Sequence, residues 1–302
     1  MPFIPSRPLT RADFSQLPAL CTDGAWGTEL MKLGGQPGEL KDLWNVTAPE
    51  RVLQVAASYV AAGAQIILTN TFSANRITLE GYGLAARVAE INRAGAALSK
   101  QAAAGKSYVF ASVGPTGQMV SMGDLDAALA EEVFAEQAAA LAAGGADAIV
   151  IETQADLAEA RAALTGALKA TTIPVGVSFT FDSGKDKTRT MMGVTVAQAY
   201  EMALANGASF VGANCGIGIE SYITVAKLFA ACGKALPIWI KGNAGKPEAG
   251  PAGGTSYSYK GTPEIFANAV PALLASGVRF IGGCCGSSPA HISALVAAMK
   301  RE

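Results

Sequence analysis

The chain has 302 residues, 50% of them hydrophobic, with a formal net charge of −1. That length can bury one large core or two smaller ones, and the near-neutral charge gives no footing for nucleic acid. No apolar run reaches the ~20 residues of a membrane span and none has the form of a signal peptide, so the expected location is the cytoplasm, where thiols stay reduced.

Residues 1–17 read as an N-terminal arm leading into the fold. Strand candidates then alternate with alanine-rich helical stretches. Ala19–Thr22 runs into Asp23 and Gly24, Gln65–Thr69 into Asn70, and Tyr108–Ser112 towards Gly114 and Pro115. Ala148–Ile151 ends at Glu152, Val175–Thr180 follows, and Phe210–Ala213 ends at Asn214 and Cys215. Ile238–Lys241 leads to Asn243, and Arg279–Gly282 to Cys284 and Cys285. These runs are almost continuously apolar, as strands buried on both faces should be. Thr47-Ala48-Pro49-Glu50 reads as a capping box, and Thr262-Pro263 and Ser288-Pro289 as an N-cap followed by proline. Gly63, Gly145, Gly207 and Gly277 sit where helices should stop. Eight strand–helix units of roughly 35 residues each predict an α/β fold, a (β/α)8 TIM barrel, as one domain over 1–302. A doubly wound sheet would carry a glycine fingerprint after its first strand, and Asp23-Gly24-Ala25-Trp26-Gly27 does not fit it.

In such a barrel the residues after each strand gather on one rim and form the active site. Two strand ends then bring three thiols together, Cys215, Cys284 and Cys285. Three protein ligands with a fourth position open are the pattern of a catalytic zinc site. Packing, or a strained disulfide between neighbours Cys284 and Cys285, is the other reading of the spacing. A disulfide framework is not expected from five cysteines in a long chain without a secretion signal. Cys21 and Cys232 read as core cysteines. Glu152, a carboxylate ending an apolar strand, needs a partner. Asp23 and Asn70 have a second reading as caps of turns or helices.

Seven segments in order resemble one known family: Asp-Gly-Ala-x-Gly-Thr-Glu at 23–29, Leu-Thr-Asn-Thr-Phe at 68–72, Gly-Pro-Thr-Gly at 114–117, Glu-Thr at 152–153, Asn-Cys at 214–215, Asn-Ala-Gly-Lys-Pro at 243–247 and Gly-Gly-Cys-Cys-Gly at 282–286. They are similar to the homocysteine-binding barrel of the zinc-dependent homocysteine S-methyltransferases, which include the homocysteine module of cobalamin-dependent methionine synthase and betaine–homocysteine methyltransferase. The resemblance implies Zn2+ held by Cys215, Cys284 and Cys285, with homocysteine as substrate and methionine as product. It also implies that Glu152 binds the substrate ammonium, that the Asp23–Gly24 turn holds its carboxylate, and that Asn243 fills the fourth zinc position before substrate arrives.

Ser73 stands where the betaine enzyme's pattern has an aromatic residue, and quaternary ammonium groups are usually held in aromatic cages. The expected donor is therefore methylcobalamin supplied in trans on a separate corrinoid protein, because no cobalamin or folate module accompanies the matched segments. Betaine or S-methylmethionine is the alternative, with Trp26, Trp44, Tyr257 and Tyr259 as the aromatic residues available for a cage. Two readings of other classes are a barrel aldolase, for which Lys241 is the one candidate amine, and a non-catalytic zinc-binding module. The oligomeric state is not legible.

Overall fold

Eight parallel strands form the centre of the fold: β1 (Leu20–Cys21), β2 (Ile66–Ile67), β3 (Tyr108–Val113), β4 (Ala148–Gln154), β5 (Val175–Phe179), β6 (Val211–Gly218), β7 (Ile238–Asn243) and β8 (Val278–Gly283). In this computed structural model, which describes residues 5, 8–249 and 257–302, they neighbour one another in the order β1-β8-β7-β6-β5-β4-β3-β2. The ring closes through a parallel bridge between Thr22 and Ile66 and a Gln65 N–H donated to the Cys21 carbonyl at 2.8 Å. This is the (β/α)8 barrel that the alternating pattern predicts. Among the described residues no helix is long and apolar enough to cross a membrane.

The outer helices are rich in alanine, the best helix former, as in Ala127–Ala143 and Leu157–Ala170. Asp126 and Asp156 cap these two, Asp126 accepting from the Ala128 and Leu129 N–H groups and Asp156 from that of Ala158. Gly63, Gly145, Gly207 and Gly277 end their helices with φ between 79° and 93°, a conformation costly for any other residue. The helix Pro49–Ala61 begins differently from expectation. Its N-cap is Ala48, which has no side-chain oxygen, and the Thr47 hydroxyl donates backwards to the Leu43 carbonyl at 3.2 Å. A short preceding helix, Trp44–Thr47, turns Thr47 away from the cap position.

The barrel interior is layered. At the bottom lie Phe14, Phe110, Phe210, Trp239 and Phe280, all with ring centroids within 6.4 Å of a neighbour. Phe14 comes from the expected arm and is buried, stacked on Phe210 at 5.4 Å; residues 1–4 and 6–7 of that arm lie outside the described residues. Gly212 makes room for this layer, because a Cβ there would stand 1.9 Å from the Trp239 carbonyl. Two residues further along their strands, the same inward face turns polar: Ser112 follows Phe110, Glu152 follows Val150 and Lys241 follows Trp239, all buried. Ser178 and Asn214 complete that upper layer.

Candidate metal centre and substrate pocket

Register sets the cysteine cluster. Gly242 of β7 pairs with Cys215 on one side and with Gly283 of β8 on the other. The Cys284 N–H donates to the Gly242 carbonyl at 2.8 Å, and the Ala244 N–H to the Cys285 carbonyl at 2.9 Å. Three strand ends are thereby laced level. The Sγ atoms of Cys215, Cys284 and Cys285 lie within 4.8 Å of one another, and those of Cys215 and Cys285 are 3.9 Å apart. Tetrahedral zinc with Zn–S bonds of ~2.3 Å needs sulfurs ~3.8 Å apart, so this donor set fits that ion by number, type and spacing.

Crowding keeps these thiols protonated as a bare cluster. The hydrogen bond from Cys284 pulls Cys215 down, but that with Cys285, burial and the charge of Cys285 together push its thiol up to about 12. For Cys285 the hydrogen bond from Cys215 likewise pulls down, and its interactions with Cys284 and burial lift it to about 12. A divalent cation held between the sulfurs would favour the thiolate forms.

Cys215 has φ 64°, in the left-handed region that a side chain rarely adopts. Its carbonyl and that of Asn214 both accept from the Tyr222 hydroxyl, at 3.0 and 2.9 Å. The ladder slips just beyond, between Cys215 and Gly218. Thr153 on β4 is the counterpart, with φ 63° beside a slip between Ile151 and Gln154.

Glu152 is buried. Its Oε1 accepts from the Ser112 hydroxyl at 2.5 Å and its Oε2 from Asn214 Nδ2 at 3.3 Å. Burial raises its pKa above the usual 4.5, while the Lys241 charge and the Ser112 hydrogen bond oppose the rise. Asp23 is buried, and both of its carboxylate oxygens accept from protein donors. Lys241 Nζ donates to its Oδ1, and its Oδ2 accepts from the Trp26 indole at 2.8 Å and the Leu68 N–H at 2.7 Å. The Asp23 carboxylate thus ties the turn to β2 and β7. Gly24 is required there, because a Cβ would stand 2.8 Å from Tyr59 Oη and 2.9 Å from Ser287 Oγ.

Asn243 ends β7, buried, and its Oδ1 has no hydrogen-bond partner among the described residues. An unpartnered amide oxygen next to the cysteine-bearing loops suits a metal ligand. Asn70 is a cross-link: its Nδ2 donates to the Lys41 carbonyl and to Asn45 Oδ1, which differs from the acceptance of a main-chain N–H that a cap makes. Cys21 is buried, as expected, but Cys232 is exposed at the end of its helix, where its thiol donates to the Leu228 carbonyl. Lys241, the candidate amine of an aldolase, is neutralised by Asp23 and buried.

Of the aromatic residues available for a cage, Trp44 is buried under Arg51, whose guanidinium lies 4.8 Å from the ring centroid. The Trp26 indole is tied to Asp23, and the Tyr257 side chain lies outside the described residues. Among the described side chains of these four, Tyr259 reaches the cysteines: it packs where a Cβ on Gly286 would stand and interacts with the Cys285 thiol. Ser112, Ser178 and the side chain of Asn214 have no role in the sequence reading, and Lys241 has one only as an aldolase amine. Their signal was present, since polar residues at inward positions of a doubly buried strand need partners.

Residues 20–299 match the family model described as homocysteine S-methyltransferase. The chain is 30% identical over 296 residues to methionine synthase of Mycobacterium tuberculosis, covering 92% of this chain and 24% of that protein. With methionine synthase of Mycobacterium leprae it shares 29% over 303 residues. The chain therefore spans about a quarter of the length of these relatives. Among solved structures, the metallated homocysteine methyltransferase MmuM of Escherichia coli superposes with a TM-score of 0.75 at 25% identity, covering 96% of this chain and 99% of that one.

Proposed function

We propose that this chain, which belongs to the homocysteine S-methyltransferase family, moves a methyl group onto the thiol of homocysteine at a zinc ion held by Cys215, Cys284 and Cys285, giving methionine. The observation that carries the reading is the cluster of three Sγ atoms within 4.8 Å at the mouth of the barrel. Bound there, zinc would supply the Lewis acidity that keeps a fourth thiol as its thiolate at neutral pH. Three cysteine thiolates would outweigh the charge of the ion and leave the homocysteine sulfur electron-rich. In the reaction the homocysteine sulfur would form its bond to the methyl carbon as the bond from carbon to donor breaks, its electron pair staying with the donor.

The chain's own groups orient the amino acid. Glu152 accepts from the substrate ammonium, with Ser112 and Asn214 fixing its two oxygens from β3 and β6. The main chain of the Asp23–Gly24 turn faces the substrate carboxylate, held rigid by the contacts of Asp23. Asn243 offers a neutral oxygen to the fourth position, a weak ligand beside thiolates and easily displaced by homocysteine.

The proposed donor is methylcobalamin brought by a separate corrinoid protein. The engagement of Trp44 with Arg51 and of Trp26 with Asp23 speaks against a cage for betaine. A donor screen with homocysteine tests the reading, using methylcobalamin, methyl-tetrahydrofolate, betaine and S-methylmethionine on zinc-loaded protein. Methionine formed from methylcobalamin supports it. Failure of the zinc-loaded protein to bind homocysteine at all overturns it, and turnover with betaine or S-methylmethionine instead overturns the donor assignment alone.

A further inference from the structure

We infer that Asn214 is a positioning residue that ties recognition of the substrate ammonium to the geometry of the thiol cluster. The inference rests on the function proposed above and adds a role that the cysteines and Glu152 do not perform themselves.

Asn214 lies on β6, fully buried, one residue before Cys215. Its Oδ1 accepts from the Thr153 N–H at 2.8 Å and the Ser178 hydroxyl at 2.7 Å. Its Nδ2 donates to Thr153 Oγ1 at 2.7 Å and to Glu152 Oε2 at 3.3 Å. The direction of these bonds is forced. A main-chain N–H can only donate, so the amide atom facing Thr153 N must be the oxygen, and the amino group must then face Glu152. Turning the amide over would set oxygen against carboxylate and amino group against N–H.

Glu152 is therefore gripped by donors on both oxygens, Ser112 from β3 and Asn214 from β6. A carboxylate held by donors is held as an acceptor, with lone pairs left for a cation. At the other end, the Asn214 carbonyl accepts from Thr180 Oγ1 at 3.1 Å and from Tyr222 Oη at 2.9 Å. Those bonds pin the peptide that leads into Cys215, which has φ 64°. The one residue thus stands between two strained neighbours, its side-chain amide on Thr153 and its peptide leading into Cys215. Strain of this kind persists only where the surroundings over-determine it. The side chain of Asn214 sets the ammonium end of the site, its main chain sets the thiol end, and the separation between them is fixed by one residue.

The test uses zinc-loaded protein and two thiols, homocysteine and 4-mercaptobutyrate, which lacks the ammonium. Affinities for both are measured by calorimetry in wild type, Asn214→Ala, Glu152→Gln and the double variant, with zinc content assayed alongside. The expected result is that Asn214→Ala weakens homocysteine roughly tenfold, leaves 4-mercaptobutyrate and zinc content unchanged, and adds no further loss in the Glu152→Gln background. Equal weakening of both thiols, loss of zinc, or the same loss in both backgrounds would overturn the inference, since a purely structural residue behaves that way. Should Asn214→Ala not fold, Ser178→Ala frees one side of the amide and must give a smaller loss confined to homocysteine; its absence also overturns the inference. If wild type binds homocysteine no better than 4-mercaptobutyrate, the proposed function and the inference fall together. If wild type keeps that preference and the variants keep it too, only the inference falls.

Discussion

Lys241 Nζ and Asp23 Oδ1 form an ion pair in the upper interior of the barrel, their side chains 2% and 0% exposed. Asp23 also accepts from the Trp26 indole and the Leu68 N–H, so β1, β2 and β7 are joined through one carboxylate. Removing one member strands a buried charge. Lys241→Met is expected to lower unfolding stability by about 3–5 kcal/mol, with Asp23→Asn in the same chain recovering part of the loss. Urea denaturation monitored by circular dichroism measures both, and a single variant as stable as wild type would contradict the pairing.

Alanine at Cys215, Cys284 or Cys285 is expected to abolish methyl transfer and weaken metal retention, because a site with three protein ligands has none to spare. Cys232→Ala should change neither, being exposed and remote from the cluster, and Cys21→Ala should keep zinc at some loss of packing. Metal content after dialysis against a mild chelator reads this out. Full zinc and full activity in Cys284→Ala would remove that residue from the site.

Glu152→Gln should weaken homocysteine roughly ten- to a hundredfold, the loss of a charge-assisted hydrogen bond of about 1.5–3 kcal/mol, with zinc content unchanged. Burial raises the Glu152 pKa above 4.5, which sets two opposite trends over one pH window. Between 4.5 and the raised value the folded chain holds a proton that the unfolded chain has lost, so this group's contribution to stability falls as pH rises. Homocysteine binding through the ammonium strengthens over the same window, as the carboxylate ionises. Glu152→Gln should flatten both trends. Identical pH profiles of binding in wild type and variant would show that another group sets them.

The ring of strands was legible because each is a near-continuous apolar run closed by a glycine-ended helix, as at Gly63 and Gly277. The cysteine cluster was legible in kind, since two strand ends of one rim must meet, although spacing alone left zinc and packing both open. The internal wiring was not. Whether Asp23 faces a ligand or a partner depended on Lys241, which is distant in sequence by 218 positions. The left-handed φ values of Thr153 and Cys215 had no sequence signal, because neither residue is glycine, asparagine or aspartate. Thr47 looked like a cap until a short helix before it rotated its hydroxyl away.

The central claim is that three cysteines hold zinc with one exchangeable position that homocysteine sulfur enters. Zinc-edge X-ray absorption, with and without homocysteine, tests it most directly. The resting protein is expected to have three sulfurs and one light atom around zinc, the light atom being the buried, unpartnered Oδ1 of Asn243, and homocysteine should convert this to four sulfurs. The light-atom shell should change in Asn243→Ala; if it does not, the ligand is water. Four sulfurs before substrate is added, or a shell that homocysteine leaves untouched, would contradict the account.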